Sequence, residues 1–179
     1  MNARGRFFEK AELDSNWPFQ FVVICFGMVL AIFEGSLGLW SSFYSAPPML
    51  SLIFLYWVAL HHEKCVFLMS GFLVGLLSDI LFSDLIGGRA TAYIAVVFLM
   101  DIRRPKLLQG DFRDIWIDFS AVTAGVTLFQ LILFSALNFA VPSLTPIAFQ
   151  LGVTMIIFPI GYVLLTVVTS MFEKLRMPT

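Results

Sequence analysis

Charge is what this sequence has least of. Only 13% of its 179 residues are Asp, Glu, Lys or Arg, against about 25% in an ordinary soluble domain. Hydrophobic residues make up 59%, a surplus that has to face lipid, so the chain is expected to be an integral membrane protein. Cysteine is scarce too. Cys25 and Cys65 lie in or at the edge of apolar runs with no metal-ligand spacing, and are expected as buried thiols rather than a disulfide or redox pair. The alternating ten-residue segments of a membrane β-barrel are missing; the apolar runs are continuous, which selects helices. There is no phosphate-binding loop, no dinucleotide fingerprint, no HExxH and no nucleophile with a matched base. His61-His62 lacks a third metal ligand. No catalytic, cofactor or metal residue is therefore expected. A net charge of −1 points to no partner class, and nucleic acid is not expected.

What is present is a succession of six apolar runs. A polar segment, 1–16, precedes them. The spans are expected at about Trp17–Phe33, Pro47–Leu60, Cys65–Phe82, Arg89–Met100, Ile115–Ala140 and Ile147–Phe172, with a tail over 173–179. The first span, with no small-residue cleavage site after it, reads as uncleaved. Glu34 is expected to interrupt that span, with a glycine- and serine-rich connection over Gly35–Ser45. Pro47-Pro48 suits the first turn of a helix. Asp101–Asp114 reads as a charged loop. Pro159 is expected to kink the last span and leave carbonyls free.

Six spans place both termini on one side. With the N-terminus inside, ten basic residues lie inside: Arg4, Arg6, Lys10, Lys64, Arg103, Arg104, Lys106, Arg113, Lys174 and Arg176. Only Arg89 lies outside. That bias is the positive-inside pattern. Trp17, Trp57 and Trp116 fall near inner ends and Trp40 near an outer end, as interfacial aromatics do. The expected fold is all-α: one compact bundle of six transmembrane helices over 17–172, with cytoplasmic termini.

Against this apolar background the stretch from Ser70 to Arg89, SGFLVGLLSDILFSDLIGGR, stands out. Gly71, Gly75 and Asp79 share one helix face, which lets another helix approach closely. That face serves either packing within the chain or contact with a partner protein. Asp79 lies at membrane depth, where a carboxylate is costly and needs donors. It is expected either to pair with Arg89 or to cap the amides of the Gly87 turn; an ion or proton site is the lesser alternative. Glu34 reads as an interfacial carboxylate facing water, with a shared polar cavity with Asp79 as the alternative. Asp101 and Asp118 are expected to be solvated.

The ordered set Pro47-Pro48, Leu55-Tyr56-Trp57, Gly71-Phe72-x-x-Gly75-x-x-x-Asp79, Gly87-x-Arg89 and Phe158-Pro159 resembles the rod shape-determining MreD family. The specific part spans Pro47 to about Tyr93; the rest matches in topology and hydropathy. The resemblance implies a non-enzymatic scaffold in the bacterial inner membrane, serving lateral wall synthesis and rod shape. The implied partners are a bitopic MreC-type protein and, directly or through it, a transpeptidase, RodA and MreB filaments. It implies a fold like that of the six-helix substrate-binding subunits of energy-coupling-factor transporters. It also marks Gly71, Phe72, Gly75, Asp79, Gly87 and Arg89 as motif residues, structural or partner-binding. The alternative function is a subunit binding a small, vitamin-type molecule for a membrane transporter.

Overall fold

A computed structural model describes residues 17–38, 47–62, 68–82, 87–139 and 142–176, with the side chains of 17, 18 and 172–176 left aside. These residues form six helices and no strand: α1 (Trp17–Gly38), α2 (Leu50–His61), α3 (Leu68–Phe82), α4 (Gly88–Leu107), α5 (Phe112–Asn138) and α6 (Leu144–Arg176). Helices adjacent in sequence run antiparallel. Glu34 of α1 meets Ser51 at the start of α2, and Gly75 of α3 meets Ala90 at the start of α4.

The helix α2 explains the layout. Every residue from Ser51 to Leu60 is buried. Its 12 residues span about 18 Å, well short of a hydrocarbon core of about 30 Å. A helix this short and apolar on all sides belongs inside a protein. Burial leaves its terminal amides and carbonyls without water, so other helices supply the partners. At the N-terminal end the Met49 amide donates to Thr154 of α6 at 3.1 Å, and the Ser51 amide donates to Glu34 at 3.2 Å. At the C-terminal end Arg104 of α4 donates from Nε to the Leu60 carbonyl at 2.8 Å and from Nη2 to that of His61.

The longer helices pack around α2 by narrow stripes. In α1 the buried positions Val23, Gly27, Ala31 and Glu34 recur at helical spacing. In α6, Gln150, Thr154 and Phe158 do the same. Phe158 stacks on Phe119 of α5 with ring centroids 3.9 Å apart, and the Tyr56 ring meets both edge-on. Outside these stripes the surface is apolar: Phe21, Val22, Val29, Ile32, Ile132, Ile156, Ile160 and Leu164 are all exposed. Water does not solvate such faces; lipid does. Three helices, Phe19–Gly38, Phe112–Asn138 and Leu144–Met171, are long and apolar enough to cross a membrane. The chain is thus a helical membrane protein.

Several expectations change. The first helix does not stop at Glu34; it continues to Gly38, because Glu34 points into protein and finds donors there. The connection from 39 to 46 lies outside the described residues. The pair Pro47-Pro48 precedes α2 instead of forming its first turn, with Met49 at the N-cap. The segment from Asp101 is not loop: α4 runs on to Leu107 through Pro105. It is held there by buried Leu107 and by the Arg104 bonds to α2. Trp57 is no interfacial aromatic; it is buried, and its indole donates to Thr166 of α6 at 3.2 Å. Cys25 is a free thiol on the outer face of α1, not a buried one, since the α1 stripe passes through Val23 and Gly27. Cys65 lies outside the described residues.

Pro159 sits inside an unbroken α6. Lacking an N–H, it cannot bond the carbonyl four residues earlier, that of Met155. The Trp116 indole of α5 donates to that carbonyl at 3.1 Å. The freed acceptor is therefore paired by a neighbouring helix, as membrane helices require.

Candidate functional site

Two carboxylates lie at one end of the bundle, where α1 and α3 finish and α2 and α4 begin. Both Asp79 and Glu34 are fully buried. Asp79 stands near the last turn of α3 and faces the start of α4. Its Oδ2 accepts the Gly87 amide at 2.8 Å and the Ala90 amide at 3.4 Å; its Oδ1 accepts the Arg89 amide at 2.9 Å. Three of the orphan amides at a helix N-terminus are so satisfied, and the positive end of the helix dipole stabilises the negative charge. The turn depends on Gly87, whose φ of +97° lies where an L side chain is strained.

Close contact brings α4 within reach. A Cβ placed on Gly75 would lie 2.5 Å from Ala90 Cα and 2.7 Å from Ala90 N. One on Gly71 would lie 3.2 Å from the Tyr93 carbonyl oxygen. The glycine face is thus consumed by packing within the chain. Phe72, between the two glycines, is 41% exposed and faces away.

Glu34 does for α2 what Asp79 does for α4. Its Oε2 accepts the Ser51 amide and the Ser51 hydroxyl, the latter at 2.8 Å. The Tyr93 hydroxyl lies 3.0 Å from Ser51 Oγ; since that hydroxyl's proton is given to Glu34, Tyr93 donates. The Arg89 guanidinium closes the network. Its Nη1 lies 3.3 Å from Glu34 Oε1, and its carbon sits 4.1 Å from the centre of the Phe82 ring, within cation–π range.

The sequence had offered Arg89 as a side-chain partner of Asp79, or the Gly87 amides as its cap. The structure has the cap. Arg89 contributes its backbone to Asp79 and its side chain to Glu34. Glu34 is not an interfacial group in water; Arg89 and Ser51 together compensate its burial. Ser51 and Tyr93 were not singled out from the sequence, although each carried a signal. Ser51 falls in the first turn after Pro47-Pro48, and Tyr93 lies one helical turn beyond Arg89.

A second polar group sits at the other end. Asp118, expected in solvent, instead accepts from the Tyr56 hydroxyl at 3.0 Å and pairs with Arg103. Asp101 is exposed as expected. His61 stacks on Trp57 with centroids 4.6 Å apart. Among the described residues no three His, Cys, Asp or Glu side chains are grouped to hold a metal ion.

Chemically, the Glu34–Arg89–Asp79 network is closed. The carboxylate oxygens already accept from named donors, and none of the three side chains is offered to solvent. Such an arrangement fixes helix ends and neutralises charge in a low-dielectric setting. The chain matches no family model, no curated protein and no solved structure.

Proposed function

We propose that this chain is a non-enzymatic scaffold of the bacterial wall-elongation complex. It is similar to MreD, resides in the inner membrane and acts with a bitopic MreC-type partner. Through that partner it reaches the transpeptidase, RodA and MreB filaments. In this reading the six helices make six passes, the termini are cytoplasmic, and the Asp79 end faces outward with Arg89 as its basic residue. The short α2 is an inner strut while α1, α5 and α6 meet lipid.

The observation that carries the reading is where the motif residues are spent. Gly71, Gly75, Asp79, Gly87 and Arg89 are consumed in locking α3 to α4 and both to α1 and α2. Phe72 alone of the six faces out, beside exposed Leu68 and Met69. A rigid frame with one outward aromatic suits a protein that holds others in place.

The test is depletion in the source bacterium with complementation. Depletion is expected to turn rods into spheres. The bitopic partner is expected to co-purify with the wild-type chain and to be lost with Phe72→Ala, while that variant still accumulates in the membrane. Cells that keep their rod shape on depletion but lose uptake of a vitamin would replace the scaffold with the transporter subunit.

A further inference from the structure

A cavity of about 260 Å³ lies beside the closed carboxylate network, between α5 and the neighbouring ends of α3, α4 and α6. It is a different place from the hydrogen bonds just described, although Asp79 and Arg89 form part of its wall. Phe82, Leu131 and Phe134 supply apolar lining; Thr127, Gln130 and Gln150 supply polar lining.

The cavity lies where the burial of α5 thins. Its buried positions run Ile115, Phe119, Val122, Thr123, Val126 and Thr127, then stop. Beyond Thr127 the helix carries exposed Leu128, Phe129 and Ile132. The cavity therefore has bilayer on one side and the polar bundle end on the other.

Gln130 makes the cavity more than a packing gap. Its amide Nε2 is buried and has no hydrogen-bond partner among the described residues. A buried amide donor left empty at membrane depth is unfavourable, and its partner has to come from outside the chain. Gln150 differs: its Nε2 donates to the Pro47 carbonyl at 2.9 Å, and the Thr127 hydroxyl donates to the Thr123 carbonyl. The missing element is thus a hydrogen-bond acceptor at Gln130.

The charges nearby select its type. Asp79 is saturated by three amides, and Arg89 is held by Glu34 and Phe82. An anionic ligand would stand beside two carboxylates and one guanidinium. A cationic ligand would meet that guanidinium. A neutral group meets neither penalty. Size narrows the choice further, because 260 Å³ is the space of about nine waters and falls just below the roughly 300 Å³ at which drug-sized sites begin. It holds a small molecule or one end of a longer one.

We propose that this cavity binds a neutral amphiphile, taking its carbonyl or hydroxyl group onto Gln130 Nε2 and its apolar body against Phe82, Leu131 and Phe134. This chemistry has two sources: the ester region of a bilayer lipid entering past α5, or a small neutral amide or alcohol from the aqueous side. The inference does not depend on the scaffold reading.

The test uses the full chain in phosphatidylcholine nanodiscs, photolabelled with a diazirine-bearing monooleoylglycerol. Adducts are mapped by mass spectrometry, and melting is measured on every variant. Labelling is expected to concentrate at 130–134 of α5 and 147–150 of α6 and to be competed by unlabelled monooleoylglycerol. Gln130→Leu should weaken it about fivefold, the worth of one hydrogen bond. Leu131→Trp, which fills the space from a half-exposed position, should abolish it even if Gln130→Leu melts early. If millimolar hexanamide displaces the probe, the occupant is a soluble amide or alcohol; if it does not, the occupant is a lipid. Both outcomes support the site. Labelling no stronger than along the Ile156–Ile160 face, or unchanged in Gln130→Leu, would overturn it: the cavity would then hold only water or an unselected acyl chain.

Discussion

Replacing Gly75 with alanine adds one methyl group to a helix, a change that elsewhere strengthens helices by about 1 kcal/mol. Here the sign should reverse. The new Cβ would lie 2.5 Å from Ala90 Cα and 2.9 Å from the Arg89 carbonyl carbon, whereas carbon atoms pack best at about 3.5–4.0 Å. Both obstacles are backbone, so no rotamer change relieves them and α4 must retreat by about 1 Å. The amides of Arg89 and Ala90, now 2.9 and 3.4 Å from Asp79, would move beyond useful hydrogen-bond distance. Overpacking costs about 1–3 kcal/mol and a lost helix cap about 0.5–2 kcal/mol. After the propensity gain, a net destabilisation of roughly 2 kcal/mol remains. Gly125→Ala and Gly152→Ala are the controls, since nothing lies within 4 Å of a Cβ at either position. They should be neutral or gain up to about 1 kcal/mol. The assay is reversible unfolding in mixed micelles of dodecylmaltoside and sodium dodecyl sulfate. If Gly75→Ala unfolds within about 0.5 kcal/mol of Gly125→Ala, the close approach is not what holds α3 to α4. If it also loses the bitopic partner at full stability, the glycine face is a partner surface after all.

Two double-mutant cycles test the polar architecture in the same assay. Glu34→Ala breaks the buried ion pair with Arg89 and should cost about 3–5 kcal/mol. Glu34→Leu with Arg89→Met removes both charges and should recover about 1–3 kcal/mol relative to the summed single changes; full additivity would mean the two side chains do not interact. Trp116→Phe removes the donor to the Met155 carbonyl and should cost about 1 kcal/mol. In a Pro159→Ala background the restored amide of residue 159 takes that carbonyl, so the Trp116 effect should vanish, and an equal cost in both backgrounds would refute the pairing.

The continuity of the apolar runs made six helices legible, because each run is a local property of the chain. What the sequence left hidden was which charges terminate a helix. Glu34 looked like the end of a span because its donors lie elsewhere in the chain: Ser51 starts the next helix, and Arg89 is 55 residues away. The same blindness made Asp101–Leu107 look like loop. Its charges suggest solvent, yet Arg104 is needed by the orphan carbonyls of Leu60 and His61. Asp79 was read more closely, since its partners are eight to eleven residues away and a glycine turn announces them. Gln130 drew no attention, because an amide midway along an apolar run shows nothing of a cavity formed by residues from several helices.

The carboxylates also answer why a chain this poor in charge retains fully buried acids. Each stands within the last turns of one helix and caps the first amides of the next: Glu34 from α1 onto α2, Asp79 from α3 onto α4. A soluble helix can leave those amides to water. A helix whose first turn is buried in protein cannot, and a serine or asparagine oxygen offers two lone pairs where three donors converge on each carboxylate here. A carboxylate meets that demand but brings a charge. Glu34 gains Arg89 as counter-charge, whereas Asp79 has the N-terminus of α4 and three amides. Arg89 joins the two solutions, its backbone on Asp79 and its side chain on Glu34. Replacing it by lysine would keep the charge and the backbone bond but lose the planar fork that both reaches Glu34 and lies on Phe82. The position demands arginine for its shape as much as for its charge.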